Sequence, residues 1–115
     1  MSTYMYGIRN CDTIKKARKF LDESGVDYHF HDVRKDGLPP EKLDSWLEAV
    51  GWETLLNKRG TTWRQLPEEQ KNSVDATSAR EIMLQNPAII KRPVLETASG
   101  VLVGFKPADY EKAFS

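Results

Sequence analysis

The chain has 115 residues and one cysteine, Cys11, so it can close no disulfide within itself. A disulfide-stapled scaffold is excluded. No apolar run approaches the roughly 20 residues that a transmembrane helix needs. The first residues also lack the apolar stretch of a secretory leader. Both absences lead us to expect a cytoplasmic protein, in a reducing compartment where a lone thiol persists. Charge of one sign is missing too, with 17 Lys and Arg against 17 Asp and Glu. This balance argues against a general nucleic-acid or membrane-surface binder but leaves room for a local anion site. Internal repeats, low-complexity tracts and linkers are lacking as well. The length accommodates one domain, residues 1–115, with a real core.

Against these absences, the position of the single thiol carries information. Cys11 follows an apolar run, Tyr4-Met5-Tyr6-Gly7-Ile8, and precedes an amphipathic helix pattern from Asp12 to Ser24. A thiol at a strand-to-helix turn meets free backbone N–H groups and the positive end of the helix dipole. Both favour the thiolate, which is the nucleophilic form. Arg9, Lys15 and Lys16 add positive charge nearby. The other reading of a free cysteine is a small buried apolar side chain; placement and basic neighbours favour a reactive one.

Periodicity organises the rest. Tyr4–Ile8 reads as a buried strand. Ile14, Ala17, Phe20 and Leu21 define the inner face of a helix that Asp12 or Thr13 caps and Gly25 ends. Val26–Val33 reads as a second strand, giving a βαβ unit with a parallel pair. After the break at Asp36-Gly37-Leu38-Pro39-Pro40, a helix carries Leu43, Trp46, Leu47 and Val50 on one face, and a short turn over Trp52–Leu56 follows. Asn57–Arg64 reads as a basic connector. Pro67 opens a short helix, and Asp75 or Thr77 caps another with Ala79, Ile82 and Met83 inside. Pro93–Glu96 and Val101–Val103 read as strands around a Ser99-Gly100 turn, and Pro107 starts a last helix. The order is β α β, a helical insertion over about 40–86, then β β α.

That order, with a thiol after the first strand and a proline leading into the third, resembles the thioredoxin fold. Three motifs in sequence narrow the resemblance: Tyr6-Gly7-Ile8-Arg9-Asn10-Cys11-Asp12-Thr13, Leu55-Leu56-Asn57-Lys58-Arg59-Gly60 and Lys91-Arg92-Pro93-Val94. Together they resemble the arsenate-reductase-like family, which also holds the Spx-type regulators and the YffB-like proteins; the 55–64 run looks most like the YffB branch. The resemblance implies an α/β, thioredoxin-like fold with a helical insertion between its βαβ and ββα halves. It implies a cis bond before Pro93, close to Cys11; the residues alone leave cis and trans open. It also implies attack by the cysteine matching Cys11, a glutathione mixed disulfide, and resolution by glutathione or glutaredoxin. Ile14 stands where C-x-x-C oxidoreductases place the resolving cysteine, so an external thiol must finish the cycle. Of the family's three anion-binding arginines, Arg92 matches one, Asn57 replaces the second and Lys106 the third; the family's upstream histidine is Gly7 here. Lysine supplies only a point charge where arginine offers a planar fork, and asparagine supplies none.

The expected site therefore has Cys11 and Arg92 as catalytic residues, with Asn10, Thr13, Arg59, Pro93 and Lys106 around the substrate. Arg59, Arg64, Arg92 and Lys106 either build a basic pocket for a carboxylate or glutathionyl group or are solvated charges. Thr13 either caps the helix or also hydrogen-bonds the sulfur, and Asn10 tightens the turn or donates to substrate. His29 and His31 share one face of a strand, but no third ligand completes a metal site, and none is expected. Trp46 reads as core, Trp52 and Trp63 as packing of the insertion.

Three functions compete. The first is a glutathione-linked monothiol thiol–disulfide oxidoreductase. It would bind no cofactor tightly and use glutathione as co-substrate and glutaredoxin as a candidate partner. It would act as a monomer with no nucleic-acid or membrane partner. The second is an Spx-type transcription regulator binding RNA polymerase; the third is an arsenate reductase. Regulators of that type often carry a C-x-x-C that Ile14 breaks, and the replaced arginines count against the third.

Overall fold

The computed structural model describes residues 3–9 and 11–114. Contacts divide the chain into two compact units, Met1–Gly37 with Arg92–Ser115, and Leu38–Lys91. The second spans the block read from sequence as the insertion and extends to Lys91.

The first unit is built on a four-stranded sheet. Its strands are β1 (Tyr4–Gly7), β2 (His29–Asp32), β3 (Val94–Thr97) and β4 (Gly100–Val103), in the order β2-β1-β3-β4. β1 and β2 run parallel, joined through helix α1 (Asp12–Glu23); β3 pairs antiparallel with both β1 and β4. Helix α7 (Pro107–Ala113) closes the chain. A βαβ half and a ββα half around a mixed sheet make this a thioredoxin-like fold.

Strand alternation sorts the two faces. Met5 and Leu95 are cross-strand partners, as are Leu95 and Leu102. They pack with Ile14, Ala17 and Leu21 of α1 and Tyr110 of α7 in one core, which Phe20 and Phe105 border. The opposite face is aromatic and polar. Tyr4 stacks on His29 with ring centres 4.9 Å apart, Tyr6 lies against His31 at 5.3 Å, and the Tyr6 hydroxyl donates to Glu96 at 3.2 Å. The two histidines thus share a face, as their spacing requires, and each is a ring partner of a tyrosine. Tyr4, expected to be buried, is 37% exposed. The second strand is also shorter than the expected Val26–Val33: among the described residues, His29–Asp32 pairs with β1.

In the second unit, α2 (Pro40–Val50) starts with proline in its first turn and buries Leu43 and Trp46. Gly51, at φ 84°, turns the chain into α3 (Trp52–Leu55). The expected connector holds a helical turn, α4 (Thr61–Arg64), before α5 (Glu68–Asn72). Helix α6 (Ala76–Gln85) begins with Asp75 as its cap: the carboxylate accepts the Ser78 N–H at 2.9 Å, and the Asp75 N–H donates to the Ser78 hydroxyl at 2.9 Å. Arg80 clasps Asp44 of α2 with two hydrogen bonds, 2.7 and 3.2 Å long. A 3₁₀ turn, Pro87–Ile89, leads to Ile90, which bridges to Leu56. Among the described residues, no helix is long and apolar enough to cross a membrane.

Candidate active site

The site begins where β1 ends. Beyond Gly7 the chain leaves the sheet and enters α1 at Cys11, which holds extended geometry (φ −137°, ψ 127°) while its carbonyl accepts the first helical hydrogen bond, from the Lys15 N–H at 3.0 Å. Cys11 is therefore the cap residue itself. The expected cap at Asp12 or Thr13 is displaced, because both are already helical, and no side chain closes the first turn. The backbone N–H groups of Ile14 and Thr13 instead favour the charged form of the sulfur.

Antiparallel pairing of Tyr6 with Val94 sets the start of β3 beside the end of β1. The Arg92–Pro93 peptide just ahead of β3 is cis, Pro93 is buried, and the Arg92 guanidinium hydrogen-bonds the Cys11 sulfur. Burial pushes the thiol's pKa up. The Ile14 N–H, the Arg92 charge, the Thr13 N–H and the Arg92 hydrogen bond push it down and prevail, so the thiol titrates below its ordinary value.

Two contacts shape the turn from behind. A Cβ at Gly7 would collide with the end of the Ile14 side chain, so glycine there lets Ile14 pack closely against the end of β1. Gly7 and Ile14 therefore pack as a pair at the foot of α1. The second contact is to Asp32, at the end of β2. Its carboxylate accepts the Arg9 N–H at 3.2 Å and the Arg34 and Lys35 N–H groups at 2.9 Å each.

The sequence-derived set divides accordingly. Cys11, Thr13 and Arg92 come together, with Pro93 next in the chain, while Asn10 lies outside the described residues. Lys106 precedes α7; its carbonyl accepts the Asp109 and Tyr110 N–H groups and its side chain is exposed. Arg59 belongs to the second unit. There it lines an open pocket of about 380 Å³ with Glu53, Leu56, Asn57, Lys58 and Lys91. Asn57 accepts the Arg59 N–H at 3.0 Å through its side-chain oxygen, a local turn that fixes this loop. The Lys58 ammonium lies 5.6 Å from the Trp52 ring centre and 5.5 Å from that of Trp63, so both tryptophans hold a cation as well as pack. Arg64 donates to the Arg59 carbonyl at 3.0 Å. Sequence reasoning missed Lys91 and Asp32. For Asp32 a signal was present: an acid inside the run expected to be a strand needs partners for its charge.

The ArsC family profile matches residues 6–113, nearly the whole chain. A solved structure of a YffB protein superposes with a TM-score of 0.95 at 49% identity, covering 99% of this chain and 100% of that one. An arsenate reductase (ArsC) related protein from Brucella melitensis is 56% identical, with a TM-score of 0.80 over 100% of this chain and 96% of its own. An uncharacterized protein of Haemophilus influenzae is 44% identical over 96% of this chain and 97% of its length. The chain belongs to the ArsC family.

Proposed function

We propose that the protein is a monothiol thiol–disulfide reductase that works with glutathione in the cytoplasm, with Cys11 as nucleophile. The observation that carries this reading is the Cys11 sulfur itself. It is the one thiol of the chain, set at a helix start under two backbone N–H groups and an arginine that lower its pKa. Membership of a family that includes arsenate reductases supports redox chemistry at this position.

The cycle follows from having one sulfur. The Cys11 thiolate attacks one sulfur of a glutathionylated substrate; a new S–S bond forms between Cys11 and the glutathionyl sulfur, and the substrate leaves as a thiolate that takes a proton from water. A second glutathione, as thiolate, attacks the glutathionyl sulfur of this mixed disulfide. Oxidised glutathione leaves, and the Cys11 thiolate is regenerated. In the net exchange the substrate sulfur passes from disulfide to thiol, the incoming glutathione sulfur passes from thiol to disulfide, and the transferred glutathionyl sulfur keeps its oxidation level. A glutaredoxin thiol can replace the second glutathione. Arg92 and the two N–H groups stabilise the sulfur anion as attacker and again as leaving group.

The test is intact mass measurement after incubation with oxidised glutathione, followed by a coupled reductase assay. We expect one glutathionyl adduct, removed by reduced glutathione and absent in Cys11→Ser. No adduct, or an adduct without turnover, would favour a regulatory protein instead. Arsenate turnover is expected to be weak. That reaction brings an oxyanion against an anionic sulfur, where each preorganised donor contributes about 3–4 kcal/mol; by the family resemblance, this chain keeps one arginine of three.

A further inference from the structure

Among the described residues, one charged side chain is buried, Asp32, at 5% exposure. Its bonds explain why it is tolerated and what it does. The parallel β1–β2 ladder runs from Tyr4 beside His29 to Gly7 beside Asp32, and the Val33 N–H still reaches the Gly7 carbonyl at 2.9 Å. Past that point β1 has left the sheet, and the Arg9 N–H turns to the Asp32 side-chain carboxylate. One oxygen accepts the Arg9 N–H at 3.2 Å, while the other accepts the Arg34 and Lys35 N–H groups and folds the chain back after β2. The Asp32 carbonyl closes the same turn by accepting the Asp36 N–H at 2.8 Å. Arg9 also sets its own charge near the carboxylate. Arg9 is two residues from Cys11, in the segment that decides where the sulfur meets the Ile14 and Thr13 N–H groups and Arg92.

We infer that Asp32 is a positioning residue for the thiol: by holding the Arg9 N–H it anchors the chain entering α1, so that the Cys11 sulfur stays at the helix start beside Arg92. The inference rests on the reading of Cys11 as the nucleophile. The bonds of the Asp32 carboxylate go to backbone N–H groups. It acts through the Arg9 backbone, and losing that bond lets the loop relax and the sulfur drift from its donors.

Asp32→Asn tests this with little change in shape. The amide oxygen can still accept from Arg34 and Lys35, which sets the NH₂ against the Arg9 N–H, donor facing donor. The readout is the alkylation rate of Cys11 by iodoacetamide against pH, unambiguous in a chain with one thiol. We expect the variant to melt cooperatively and its titration midpoint to rise by about half a unit, a roughly three-fold change in the thiol's acid dissociation constant. A depressed midpoint identical in the two proteins, with only stability changed, would overturn the inference. A wild-type midpoint at the ordinary thiol value would sink the nucleophile reading, and the inference with it. A measurement on the wild type covers a variant that does not fold: the Arg9 amide resonance should shift in acid as the Asp32 carboxylate protonates, and an Arg9 amide indifferent to that titration also overturns the anchor.

Discussion

Single atoms decide most of the chemistry here. Among the described residues, Arg92 is the side chain that lowers the Cys11 thiol's pKa; the Ile14 and Thr13 contributions are backbone. Arg92→Ala should therefore raise the thiol's titration midpoint without abolishing its reactivity. Arg92→Lys should fall between, since an ammonium keeps the charge and loses the fork; iodoacetamide rates across pH rank the three proteins. Tyr110 poses the opposite question. Its ring is fully buried between Phe20 and Phe105, with centroids 5.8 and 4.9 Å away, yet its hydroxyl has no hydrogen-bond partner among the described residues. Burial pushes that hydroxyl's pKa up, so it stays neutral. An unsatisfied buried polar group costs about 1–3 kcal/mol. Tyr110→Phe keeps the ring contacts and should raise stability by about 1 kcal/mol, seen as a later midpoint in urea; a loss of similar size would mean that the hydroxyl has a partner after all. Gly7→Ala should do the reverse. The added methyl meets the Ile14 side chain, and overpacking of this kind costs about 1–3 kcal/mol. Ile14→Val in the same background should recover part of that loss.

At the scale of elements, α1 and α6 solve the same problem differently. α6 closes its first turn with the reciprocal Asp75–Ser78 pair, and the Asp75 carboxyl titrates below its usual range because the Ser78 N–H and hydroxyl bind the charged form. Asp75→Ala should lower the urea midpoint. Since the folded-state pKa is depressed, the lost contribution is one present above the unfolded carboxyl value and lost as pH falls through the folded one. The gap between variant and wild type should therefore close in acid. A gap that widens in acid would contradict this assignment. α1 leaves its first turn to the Cys11 sulfur. Its analogous contribution exists only when the sulfur is ionised: full above the unfolded thiol pKa, and lost as pH falls through the lowered folded value.

At the scale of the whole molecule, element order was legible in the sequence because apolar spacing and proline and glycine breaks are local signals. β α β, a helical block, then β β α could be read residue by residue from Ile14, Ala17 and Leu21, from Leu43 and Trp46, and from the Ser99-Gly100 turn. Boundaries that depend on partners were not legible. Val26–Tyr28 has strand composition, but among the described residues β1 pairs only with His29–Asp32, and Cys11 took the cap from Asp12 and Thr13 because its own backbone is extended while theirs is already helical. The thiol and Arg92 could be placed in one site through the family pattern. Asp32 could not, since its role depends on which backbone N–H loses its ladder partner, and that is fixed only when β1 and β2 are in register. Lys58 likewise reads as one more charge in a basic run until Trp52 and Trp63 are seen on either side of it.

The sulfur at the start of α1 also sets how long an adduct can live there. A thiol that is a stabilised anion when free is a good leaving group when bonded, and a helix whose cap has become a neutral disulfide has lost its terminal anion. Both effects push the same way, toward discharge. On the function proposed above, the protein would be a relay and a poor reservoir: a glutathionyl group should pass through it in less time than it would spend on an unstructured peptide thiol. Timing release by reduced glutathione from the protein and from a peptide spanning Arg9–Lys16 would measure that difference as a ratio of half-lives.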